Sequence, residues 1–212
     1  MSRYLEDGGD GYYNEDNISY ACTSWAPGVG FAGIVCAVVF ANIGGAYGTA
    51  RAGQGIMAMG IRSPELLMKN IIPVVMAGVL GIYGLIVAVI LNGKFSTPEI
   101  GTGYVTYSQY SAFCHLASGL CCGFTSLASG IAIGISADAG TRAVGAQSAM
   151  AASWKKMGFT GDAGGQAEGG GDSLFVATIL IQVFASNLGL YGLIVALIMS
   201  QTDYKCDPSA NY

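Results

Sequence analysis

The sequence predicts an all-α membrane protein: four transmembrane helices, built as two tandem helical hairpins, shaped as a wedge of a closed membrane ring. Three observations predict it. Four uncharged stretches are each long enough to cross a bilayer. The second half of the chain repeats the first. Small residues recur at helical spacing along the first and third stretches.

Composition sets the solvent. Of 212 residues, 52% are hydrophobic and only 10% are charged, against roughly 25% charged in a soluble domain. Mean hydropathy is +0.51. A net charge of −4 argues against a nucleic-acid partner, which requires basic clusters. The 33 glycines carry no Gly-X-Y period, which excludes collagen. The apolar content excludes disorder.

About 20 apolar residues cross the hydrocarbon layer as helix. Residues 1–26 form an acidic tail, with Glu6, Asp7, Asp10, Glu15 and Asp16 against one Arg3. A signal peptide would open on a basic stretch, so the first span is read as a retained helix. The first hairpin occupies residues 27–93, with spans at 27–50 and 71–91. A loop at 94–109 leads to the second hairpin, 110–200, with spans at 110–137 and 174–200. A Gly-rich insert at 148–172 lies between these last two spans and is predicted to be flexible, although its Trp154 and Phe159 also suit the headgroup level. Residues 201–212 form a second tail. The spans do not alternate apolar and polar residues, so helices are predicted rather than barrel strands.

Lys and Arg set the orientation. Arg51, Arg62 and Lys69 lie in the first loop, and Arg142, Lys155 and Lys156 in the third. The second loop has only Lys94, and the tails only Arg3 and Lys205. Loops 51–70 and 138–172 are therefore predicted to be cytosolic and both termini lumenal. Cys22 and Cys206 then share an oxidising compartment, where a disulfide and two free thiols are equally open readings. Asn17-Ile18-Ser19 fits a glycosylation acceptor on that side, though close to the membrane.

The duplication is explicit. Residues 80–90, Leu-Gly-Ile-Tyr-Gly-Leu-Ile-Val-Ala-Val-Ile, recur at 188–198 as Leu-Gly-Leu-Tyr-Gly-Leu-Ile-Val-Ala-Leu-Ile. Residues 44–48 echo 130–134 more loosely. Both copies start on the same side, so the repeat is parallel, unlike inverted-repeat transporters. Gly33, Ala37, Ala41, Gly44 and Gly48 stack along one face of the first helix. Gly119, Gly123, Ser126, Gly130 and Gly134 do so along the third. Such faces let backbones touch in lipid. The even helices carry more Leu, Ile, Val and Met. An inner layer of thin helices inside an outer layer of thicker ones is predicted, a taper suited to a closed ring.

These features lead to a family. Ala46-Tyr47-Gly48-Thr49-Ala50-Arg51 with Gly53 and Gly55, Arg62-Ser63-Pro64-Glu65-Leu66, and the run 69–90 carry the resemblance. So do Ser118-Gly119-Leu120, Gly134, Asp138-Ala139-Gly140, Arg142, Phe184-Ala185 and 188–198. Over roughly residues 28–200 the chain resembles the proteolipid, or c-type, subunit of the eukaryotic vacuolar-type proton ATPase. The resemblance implies a place among other proteolipid subunits in a membrane ring, in an endomembrane or vacuole. It implies two protein partners, a static half-channel subunit and the rotor stalk of a soluble sector, besides lipid.

One departure bears on mechanism. The family's fourth helix reads Phe-Ala-Glu before its Leu-Gly-Leu-Tyr-Gly run. Here Ser186 follows Phe184-Ala185, and Asn187 follows it. A rotor carboxyl works because lipid keeps it neutral while water or a cation charges it. Neither a serine hydroxyl nor an amide titrates in that range, though both hydrogen-bond. Gly78 holds the equivalent place in the second helix, and Glu65, Glu99 and Asp138 lie at loops or helix ends. Gln182, one turn before Ser186, forms with it either a polar patch toward a neighbouring subunit or ordinary interhelical bonds worth about 0.6 kcal/mol.

No metal site or cofactor is predicted. There is no Cys-x-x-Cys pair. His115 and Cys122 are seven residues apart, about 10.5 Å along a helix, so a packed or interfacial histidine is predicted. No Gly-x-x-x-x-Gly-Lys phosphate loop is present, so ATP is not bound by this chain. Two functions remain open: a proton-inert ring subunit of a vacuolar-type ATPase that transmits torque, and a membrane scaffold or pore-type ring independent of any ATPase.

Overall fold

A computed structural model describes residues 25–61, 64, 67–95, 107–156 and 162–202. Within its helices the side chains of 151–152, 154–156 and 162–172 are not described. Cys22, Cys206, Asn17, Glu65 and Glu99 lie outside the described residues.

Four long helices account for nearly all of the described chain. The first, α1, runs Ala26–Gly60, with Pro27 in its opening turn, where a missing N–H costs nothing. A short 3₁₀ turn, Lys69–Ile71, leads into α2, Ile72–Asn92, which also opens on a proline. The third, α3, runs Gln109–Lys156. Ser108 caps it: its Oγ accepts from the Ser111 backbone N–H at 3.2 Å. The fourth, α4, runs Asp162–Ser200. All four are long and apolar enough to cross a membrane, and the protein is an integral membrane protein.

Two helices extend well beyond their predicted spans. α1 continues past Ala50 to Gly60. α3 has 48 residues, about 72 Å of helix against a hydrocarbon core of about 30 Å. Within the insert at 148–172, residues 148–156 and 162–172 are helical, with α3 reaching Lys156 and α4 beginning at Asp162. Ala143, Ala146, Ala149, Ala151 and Ala152 are strong helix formers, and they outweigh Gly145 here.

Among the described residues, α1 and α3 come into backbone contact at several glycines. A Cβ on Gly119 or Gly130 would collide with the backbone carbonyl of Gly33 or Gly44 respectively. A Cβ on Gly44 would come within 2.6 Å of Leu127 Cα. Gly123 lies over the Cys36 carbonyl, and Gly134 lies over Gly48 Cα. At these points backbone meets backbone, which only glycine permits. Because the two helices carry so little bulk, α2 packs along α1 and α4 along α3 while α2 and α4 still meet.

Apolar clusters fill the angles between helices. Ala37, Val87, Leu91, Cys122, Leu193 and Ala196 join all four. Ala77, Leu80 and Ile133 form a second cluster, with Tyr83 and Ala185 against it. At the end where the chain leaves α2 and enters α3, Phe95 stacks on Phe31 and on Tyr107. Two serines add polar ties between α3 and α4. Ser118 Oγ donates to the Ala196 carbonyl at 2.7 Å, and Ser129 Oγ to the Ala185 carbonyl at 2.6 Å. The outward faces of α2 and α4 present Val75, Ile82, Leu85, Phe184, Leu188 and Tyr191, all exposed, as suits lipid or a neighbouring copy.

Three outcomes follow for the full chain unfolded in detergent. Gly130→Leu is expected to cost at least about 1–3 kcal/mol, because the clash is with backbone that cannot move aside. Gly78→Leu, where a Cβ meets nothing within 4 Å, is expected to stay within about 0.5 kcal/mol. The pair Ser118→Ala and Ser129→Ala is expected to lose about 1 kcal/mol in total. Thermal melts followed by circular dichroism check all three.

Candidate functional site in the fourth helix

α4 has two distinct faces. Thr178, Gln182, Gly189, Leu193 and Ala196 are buried on the inward face. Leu180, Phe184, Leu188 and Tyr191 are exposed on the outward one. Ser186 and Asn187 are half-buried, at the boundary between them. The inward face is set by small residues. Gly192 lies against Thr125, Gly189 against Leu80, and Gly140 of α3 against Thr178.

The Ser186 hydroxyl is turned back on its own helix. Its Oγ donates to the Val183 carbonyl at 2.9 Å, the local bond that serines make inside helices. One residue earlier, the Ala185 carbonyl accepts from Ser129, so the backbone at this position is tied directly to α3. The site therefore has a fixed frame and a neutral hydroxyl that stays un-ionised at any pH the protein meets.

Gln182 points away from the outward face. It is 0% exposed, and neither its Oε1 nor its Nε2 has a hydrogen-bond partner among the described residues. Helical spacing puts it one turn from Ser186, but the two point to different surroundings. In this fold Gln182 faces the interior, not a neighbouring subunit.

No other described group takes the acid's place near Ser186. Gly78, the equivalent position in α2, is exposed and has no side chain. Asp138 is the only carboxylate among residues whose side chains are described. Its Oδ1 accepts from Arg142 Nε at 2.7 Å. Ser129 is level with Ala185, and Asp138 is nine residues further along α3, about 13 Å away. An acid already paired with an arginine at that distance is not placed to serve the Ser186 position.

His115 is fully buried and shares a 2.6 Å hydrogen bond with the Tyr107 hydroxyl through Nδ1. Phe95 lies edge-on to it at 6.0 Å. It is thus part of an aromatic clasp at one end of the bundle, as a packed histidine. Cys36, Cys114 and Cys121 are half-buried and Cys122 is buried, all with free thiols. Tyr107 had no sequence signal as the histidine's partner, because it lies before α3 begins. Ser118 and Ser129 were legible as small residues on the packing face, but not as donors to particular carbonyls of α4.

Similarity to known proteins follows the same two hairpins. The model of the ATP synthase C subunit family matches residues 32–91 and 116–199. The first block falls on α1 and α2, the second on α3 and α4. The V-type proton ATPase 16 kDa proteolipid subunit of Chrysotila carterae is 47% identical over 189 residues, covering 89% of this chain and 99% of that protein. One of the V-type proton ATPase 16 kDa proteolipid subunits of Caenorhabditis elegans is 43% identical over 176 residues, covering 83% of this chain and 91% of that protein. The V-type proton ATPase 16 kDa proteolipid subunit of Ascaris suum matches to the same extent. With its duplicated hairpins, glycine-mediated core and matches along both halves, this chain belongs to the ATP synthase C subunit family, among the V-type 16 kDa proteolipid subunits.

Proposed function

We propose that this chain occupies a rotor position in the membrane ring of a V-type proton ATPase and transmits torque without carrying a proton itself. Segments 51–70 and 138–172 face the cytosol, and both termini face the lumen of an endomembrane or vacuole. Other proteolipid subunits of the ring supply the titrating carboxyls. A static half-channel subunit and the stalk of the soluble sector are its other partners. The chain does no chemistry of its own.

One observation carries the reading. At the position where the family's fourth helix has glutamate, the Ser186 hydroxyl donates a hydrogen bond to a carbonyl of its own helix. A carboxyl can alternate between a neutral form in lipid and a charged form beside a cation. The hydroxyl has one usable state. It carries no charge in any environment, and a charge at the middle of a span would cost about 2.5–3.5 kcal/mol. A neutral protomer can therefore ride through the lipid phase of a rotation at no electrostatic cost. It brings no counter-ion to a stator cation.

The test has two parts. Affinity purification of the tagged full chain from native membranes is expected to bring soluble-sector ATPase subunits with it. Their absence would favour a scaffold ring instead. In the same membranes, Ser186→Ala is expected to leave ATP-driven proton flux unchanged, and Ser186→Glu to raise it and to introduce a carbodiimide-reactive carboxyl. A sharp loss of flux in Ser186→Ala with normal assembly, or no gain in Ser186→Glu with normal assembly, would contradict the proposal.

A further inference from the structure

We propose that Gln182 holds a bound water inside the helical bundle, so that a neutral hydrated seat stands one turn from Ser186. This inference rests on the interior geometry of α3 and α4 and holds whether or not the ring pumps.

A carboxamide carries two donors and an acceptor with two lone pairs. Placing it in an apolar interior without partners is costly, and the cost is greater in a membrane protein, where no bulk water is near. Gln182 is 0% exposed, and both of its polar atoms lack a partner among the described residues. The adjacent hydroxyls cannot donate to it. Thr178 Oγ1 donates to the Leu174 carbonyl at 2.9 Å. Ser186 Oγ donates to Val183, and Ser129 Oγ to Ala185. Each O–H is already used, while each oxygen keeps a lone pair as an acceptor.

The occupant must therefore donate to Oε1 and accept from Nε2. It must also be small, since Thr178 packs on Gly140 on one side and Ala185 on the Ile133 cluster on the other. Water meets both requirements. A buried water needs two to four polar partners. Gln182 offers two, and the hydroxyl oxygen of Thr178, one turn before it on the same buried face, offers a third. Residues four apart on a helix have Cβ atoms about 5–6 Å apart, the span that one water bridges. A metal cation fits less well: the seat has no carboxylate, and an amide N–H₂ points into it.

Water-edited solid-state NMR on the assembled ring, with glutamine and isoleucine labelled in this chain, tests the proposal. The Gln182 side-chain amide signal is assigned by its loss in Gln182→Leu or, if that variant does not assemble, by sequential connectivity. Polarisation from water is expected to reach it as fast as it reaches the exposed Gln54. A build-up as slow as that of the buried Ile133 methyls would overturn the proposal. A density map of the ring that resolves waters gives an independent readout. A peak about 3 Å from both amide atoms supports the proposal. A protein side chain bonded to the amide, or no density there, overturns it.

Discussion

Backbone contact between α1 and α3 is the constraint on which the rest of the structure depends. Gly33 against Gly119 and Gly44 against Gly130 bring the two backbones into direct contact, and Gly48 and Gly134 approach closely beside them. Lipid tails are as apolar as leucine, so association in a membrane rests on close packing and on hydrogen bonds, not on expulsion of water. Glycine faces supply the first, and Ser118 and Ser129 supply the second. With α1 and α3 so close, α2 and α4 are left to present their bulky residues outward. The rotational setting of α4, and with it the half-buried place of Ser186, follows from that arrangement.

The same constraint holds α4 in place without help from the Ser186 side chain. Ser186 bonds within its own helix, and no other described group is paired with its hydroxyl. A site can then lose its titratable group without disturbing the interfaces around it, since Ala185 and Gly189 hold α4 in place on either side. The interfaces that hold α4 lie on its inward face, and Ser186 lies at the boundary of that face. Gln182 is a polar residue on the inward face, one turn from Ser186.

Much of this was legible in the sequence, and the remainder was not for physical reasons. The absence of charge located four spans, because a charge inside lipid is too costly to be incidental. The repeat of 80–90 at 188–198 located two hairpins. Helix ends were less legible, because α3 continues as an alanine-rich helix once it leaves the apolar segment, and hydropathy does not register that continuation. The surroundings of Gln182 were not legible either. A helix that is apolar all round has no stripe to say which side faces inward, so spacing alone paired Gln182 with Ser186 and could not choose its direction. The Tyr107–His115 bond was hidden for another reason. It joins a helix to the residues ahead of it, where periodicity carries no information.

The central claim is that a hydroxyl held by its own helix cannot replace a carboxyl that alternates between lipid and water. The most direct measurement uses sealed vesicles containing a complete ATPase whose ring is assembled from this chain alone, with the lumenal pH followed during ATP addition. No acidification is expected from the unaltered chain, while the same preparation with Ser186→Glu acidifies. Acidification by the unaltered chain would contradict the claim.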